Sequence, residues 1–205
     1  MNSANNNSST PKTQEYSPVE SIRYISNESM GIPDSQSTPS NDFAENDEFC
    51  VKQEKSKVNK VSVFDVAKYI LEKLDRSITT MKLQKLVYYC QAWYLVWEDE
   101  PLYPEKIEAW ANGPVVRVLF NFHKGLYRIN KNSLTLGNSS KLSQLQKDDI
   151  DSVLSFYGNR TSQWLIDQTH SEQPWIKARD GVAPYESSSN EISLQAMTDY
   201  YSSLK

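Results

Sequence analysis

Met81-Lys82-Leu83-Gln84-Lys85-Leu86-Val87-Tyr88-Tyr89-Cys90-Gln91-Ala92-Trp93-Tyr94-Leu95-Val96-Trp97 reads as a helix with almost no face left for water. At about 100° per residue, Leu83, Leu86, Val87, Cys90, Tyr94 and Trp97 share an arc of ~100°, while Tyr88, Tyr89, Ala92, Leu95 and Val96 cover most of the opposite side. Such a helix belongs inside a domain, so the rest of the chain must enclose it. Its polar side chains are Lys82, Gln84, Lys85 and Gln91. Three of these crowd the N-terminal end, which predicts a first turn that reaches a surface or a partner.

The enclosing elements announce themselves by their caps. Ser62 followed by Asp65 opens a helix whose Val63, Val66, Ala67, Ile70, Leu71 and Leu74 share one face, ending near Asp75-Arg76-Ser77. Thr79 or Thr80 caps the apolar helix, and Glu98-Asp99-Glu100-Pro101 breaks it. Leu102 to Trp110 is extended, Gly113 turns the chain, and Pro114 is expected to open a helix that runs to about Phe122. A small hairpin is predicted across Leu126 to Gly137, around an Asn-rich turn. Ser143 with Gln146 forms a capping box before a helix closed by Gly158; Thr161 starts another; Pro174-Trp175-Ile176 begins a short one; Leu194 to Leu204 ends the chain. The fold class is therefore mainly α, a single compact helical domain with a short β-hairpin.

Composition sets the boundary of that domain. Of the 23 aromatic residues only Tyr16, Tyr24, Phe43 and Phe49 precede residue 61, and all five Trp follow it. Residues 1–60 are too polar to offset the entropy of ordering them and read as a disordered tail before a domain at 61–205. Within the tail, Val19 to Ile25 alternates as a short strand would, and Phe43 to Val51 has apolar side chains able to dock. The net charge of −4 divides into −3 for the tail and −1 for the domain, so there is no basic face for nucleic acid. No secretory leader is legible, and the longest apolar run falls short of the roughly 20 residues of a membrane span, which places the expected site of action in the cytoplasm. Cys50 and Cys90 form neither a disulfide framework nor a zinc motif, and no cofactor is expected.

Four blocks carry a resemblance. Thr80 to Tyr89, Pro101-Leu102-Tyr103, Ile107 to Val116 with its Trp110-Ala111-Asn112-Gly113-Pro114-Val115 core, and Thr169-His170-Ser171-Glu172-Gln173-Pro174-Trp175 look like the signature blocks of the Panacea domain, the SocA-like antitoxin domain. The likeness runs over about residues 61 to 204. It implies a phage-associated or prokaryotic toxin-antitoxin role: a non-enzymatic domain whose partner is a cognate protein toxin, with a protease to which the toxin is presented as one route. Members often carry an additional DNA-binding segment, and residues 1–60 show no helix-turn-helix pattern.

Each motif also has a reading that needs no partner. Lys82 and Lys85 can snorkel from a core helix, Gln84 must find partners for its amide and is placed to pin the Trp110 loop, and Leu83, Leu86 and Tyr89 are core. The Trp110–Val116 corner, with Asn112, Gly113 and Pro114, is either a structural turn or a rigid rim that displays an indole. His170 with Asp167 and Glu172 is the one constellation suggesting a hydrolase, against a simpler role closing a helix and stacking on Trp175. Lys82, Gln84, Lys85, Trp110, Asn112, Gly113, Pro114 and Val116 are the residues expected to meet a toxin. A DNA-binding regulator is the alternative from another class.

Overall fold

The computed structural model describes residues 60–204; the Val19–Ile25 and Phe43–Val51 segments, and all of the polar tail but Lys60, lie outside the described residues. The chain runs α1 (Val63–Leu74), β1 (Ile78–Thr79), α2 (Thr80–Glu98), β2 (Ile107–Trp110), β3 (Gly113–Val116), α3 (Arg117–His123), β4 (Arg128–Ile129), a 3₁₀ turn (Ser139–Lys141), α4 (Gln144–Tyr157), α5 (Ser162–Ser171), α6 (Gln173–Ala178) and α7 (Leu194–Ser202). It is mainly helical, with two short antiparallel strand pairs, β1 with β4 and β2 with β3.

The apolar helix is the axis. Every residue of α2 from Lys82 to Val96 is buried, enclosed by α1, α4, α5, α7 and β3. Thr79 caps it, its hydroxyl accepting from the Lys82 amide at 3.1 Å, and Asp99 ends it in the left-handed region at φ 56°. Around the axis the packing is aromatic: Tyr89 stacks on Tyr157 at 4.0 Å and 9°, Tyr201 meets Trp93 edge-on at 5.2 Å, and the Trp93 indole donates to the Tyr157 hydroxyl at 3.2 Å. Such offset and edge-to-face pairs add about 0.5–1.5 kcal/mol each beyond area burial.

The caps read from sequence hold. Asp65 accepts from the Ser62 amide at 2.9 Å, and Ser143 and Gln146 exchange bonds at 3.2 and 3.0 Å. Ser143→Ala is expected to cost about 1 kcal/mol, lowering the melting temperature by about 2–4 °C with the core intact.

Three expectations need correction. Pro114 does not open a helix: it lies in β3 opposite Ala109, and the helix starts only at Arg117. The missing proline amide is tolerable because β3 is one strand of a two-stranded ribbon, not the middle of a sheet. The Leu126–Gly137 hairpin does not form either; Arg128 and Ile129 pair with Thr79 and Ile78, and the Asn130 side chain closes the following turn by accepting from Asn132 and Ser133 amides. Finally, the polar side chains at the start of α2 are not laid on an open surface: Lys82 is 7%, Gln84 2% and Lys85 0% exposed, while Thr80 and Met81 are half-buried.

Candidate functional site

Both edges of the β2–β3 hairpin are closed without a third regular strand. On the outer edge of β2, Ala109 donates to the Asn190 carbonyl and Ile192 to the Ile107 carbonyl, both at 2.8 Å. On the inner edge the acceptors and donors of β3 are met by side chains of α2. The Gln84 carboxamide accepts from the Val116 amide at 2.8 Å and donates back to the Val116 carbonyl at 3.4 Å, and Lys85 Nζ donates to the Pro114 carbonyl at 2.9 Å. Gln84 therefore pins the end of β3, not the Trp110 loop.

Those bonds fix the chemistry next door. Because Gln84 Oε1 must accept from a backbone N–H, its Nε2 is the atom 2.9 Å from His123 Nε2, and it can only donate. His123 then accepts at Nε2, so its ring is neutral with the proton on Nδ1; burial lowers its pKa in the same sense. Lys82 is spent internally too, donating to the carbonyls of Gly158 and Arg160 at 2.7 and 2.6 Å, where a cation meets the C-terminal end of α4. Among the described residues Lys85 meets no compensating charge, and burial lowers its pKa to about 7. Neither lysine snorkels as the sequence suggested, because distant main-chain carbonyls, not water, receive them.

The Trp110 corner faces a cavity of about 620 Å³, a size typical of ligand and side-chain pockets. Gln84 and His123 line its floor; Met81, Trp110, Phe120 and Leu126 form apolar walls; Arg117, Lys124 and Ser187 to Ser189 complete the rim. Trp110 is held on three sides. Its ring meets Phe120 at 4.7 Å and 64°, Arg117 lies 5.3 Å above it, and its indole donates to Glu108 Oε2 at 2.8 Å. Glu108 also accepts from Arg117 Nε at 2.7 Å. Burial opposes its ionisation, but the bonds from Arg117 and Trp110 outweigh that and hold its carboxyl below the ordinary range.

Of the residues put forward from sequence, Gln84, Trp110 and Asn112 line this cavity; Gly113, Pro114 and Val116 are buried behind it; Lys85 holds β3 from within, whereas Lys82 is bonded at the end of α4 and takes no part in it. Phe120, His123, Arg117 and the serine triplet were missed. Phe120 and His123 stand three apart on α3, a helical spacing that could have flagged a shared face, whereas nothing local connects Ser187–Ser189 to Trp110.

The His170 constellation does not assemble. His170 stacks on Trp175 at 4.1 Å and 19°, and its Nε2 is buried with no hydrogen-bond partner among the described residues. Burial, aided by the nearby Lys85 charge, lowers its pKa. Asp167 accepts from Gln163 at 2.8 Å. Glu172 is 2% exposed and accepts from Tyr89 at 3.2 Å, Gln168 at 3.3 Å and Tyr201 at 2.6 Å. Trp175 instead braces the corner, its indole donating to the Trp110 carbonyl at 2.9 Å, while Arg179 donates to the Ala109 carbonyl at 2.9 Å. Among the described residues no group of three or more His, Cys, Asp or Glu is placed to hold a metal ion, and no helix is long and apolar enough to cross a membrane.

Residues 83–176 match the family model described as antitoxin SocA-like, Panacea domain. That span begins in α2 and ends in α6, so it contains the corner, α3 and the bracing Trp175, and stops short of Arg179. No curated protein and no solved structure matches the chain.

Proposed function

We propose that this chain, similar over residues 83–176 to the SocA-like antitoxins, neutralises a cognate protein toxin by direct binding and performs no catalysis of its own. The toxin would seat in the cavity beside Trp110. The observation that carries this reading is a braced indole, itself within the family-like span, beside an open apolar cavity. Aromatic anchors in such settings dominate binding energies. Presentation of the bound toxin to a protease is a later step of the same reading, and action in the cytoplasm accompanies it.

Co-expression supplies the test. Wild-type chain is expected to restore growth to cells producing the growth-arresting protein of a neighbouring gene. Lys124 and Leu126 are exposed on the rim, Leu126 at 47%. Lys124→Glu with Leu126→Asp is therefore expected to weaken toxin binding by roughly tenfold or more, with the melting temperature unchanged. Failure of the wild type to rescue would remove the antitoxin assignment; full rescue by the double variant would remove this cavity from it.

A further inference from the structure

The chemistry of the cavity beside Trp110 is one-sided. Aromatic and aliphatic groups wall it, and among the described residues no acidic side chain lines it. Arg117 on its rim is neutralised by Glu108, but Lys124 is exposed and makes no ion pair among the described residues. The fitting occupant is a short segment that carries aromatic side chains and a net negative charge.

The chain contains one. Asp42-Phe43-Ala44-Glu45-Asn46-Asp47-Glu48-Phe49-Cys50-Val51 sets two Phe and one Val among four carboxylates, with no base. Eight residues, 52–59, separate it from Lys60, and when extended they span up to about 28 Å. The tether starts close by: Phe64 on the first turn of α1 meets Phe122 edge-on at 6.0 Å, and Phe122 adjoins His123 on the cavity floor. A segment held on such a tether faces its site at an effective concentration on the order of millimolar, so weak contacts suffice to fill it.

We propose that Asp42–Val51 docks in this cavity within the same chain, its phenylalanines against the Trp110–Phe120 wall and its carboxylates toward Lys124. A partner that uses the cavity must then displace the segment, which sets a threshold on binding. The docking shares a surface with the toxin-binding reading but can be tested with no toxin present, so either can fail alone.

Cys50 lies inside the segment and serves as the probe; the other cysteine, Cys90, is buried, and burial pushes its thiol pKa well up, so it does not compete. Full-length chain bearing Ser189→Cys on the cavity rim is treated with a short bismaleimide. The comparison is Ser155→Cys, exposed on α4, which packs against α1. Cys50 is expected to be joined to position 189 roughly tenfold faster than to position 155, and Phe43→Ala with Phe49→Ala should abolish the preference. Equal rates at the two positions, a preference that survives the double substitution, or products that link two chains would each overturn the proposal.

Discussion

Gly113→Ala is expected to destabilise the protein by about 3 kcal/mol or more, lowering its melting temperature by about 6–12 °C. Two costs combine. Gly113 sits at φ +95°, a region that costs an alanine about 1–2 kcal/mol. A Cβ there would also stand 2.7 Å from Lys85 Cε, 2.8 Å from Lys85 Nζ and 2.8 Å from Thr169 Oγ1. Lys85 cannot swing aside without abandoning the Pro114 carbonyl, and Thr169 is bound to the Ile166 carbonyl at 2.9 Å. Gly125 separates the two costs, since it has φ +88° and a Cβ added there would meet nothing within 4 Å. Gly125→Ala should therefore lose only the conformational part, about 1–2 kcal/mol. Thermal melts of the two variants check this, and equal losses would show that the crowding at Lys85 costs nothing.

Stability is expected to pass through a trough near neutral pH, because two buried groups carry opposite penalties. Burial pushes Glu172 up to about 7 from its ordinary 4.5, against bonds from Tyr201, Gln168 and Tyr89 that favour the carboxylate. Between those pH values the folded chain holds a proton that the unfolded chain has lost, so this group's contribution falls as pH rises, by up to about 1.4 kcal/mol per unit. Burial lowers Lys85 from 10.5 to about 7, so between 7 and 10.5 the unfolded chain holds the extra proton and stability recovers as pH rises. Glu172→Gln is expected to flatten the acid limb, and Lys85→Met the alkaline one. Denaturant titrations from pH 4.5 to 10 read both limbs; an acid limb unchanged by Glu172→Gln would exclude the carboxyl as its origin.

The helical frame was legible because its signals are local. A stretch apolar on both faces, such as Leu86 to Val96, has no stable position except inside, and caps such as Ser143 with Gln146 depend on residues three apart. The errors fall where distant segments complete a residue's bonding. Gly113-Pro114 has the local pattern of a helix entry, but Gln84 and Lys85, about thirty residues earlier, capture the main chain of β3 and keep it extended. Ile129 likewise pairs with Ile78, across a separation no local turn can announce. The candidate site was half legible for the same reason. Trp110 and Asn112 stand in a recognisable motif, whereas His123 acquires its role only when α3 folds over Gln84.

The capping of both hairpin edges, by Asn190 and Ile192 outside and by Gln84 and Lys85 inside, removes a whole mode of recognition. An incoming polypeptide finds no row of vacant main-chain groups on β2 or β3 and cannot extend the ribbon by strand addition. It meets side chains alone. Changing whom this surface accepts would then take only new wall residues, such as those at 120 and 126, leaving the scaffold's own bonding untouched.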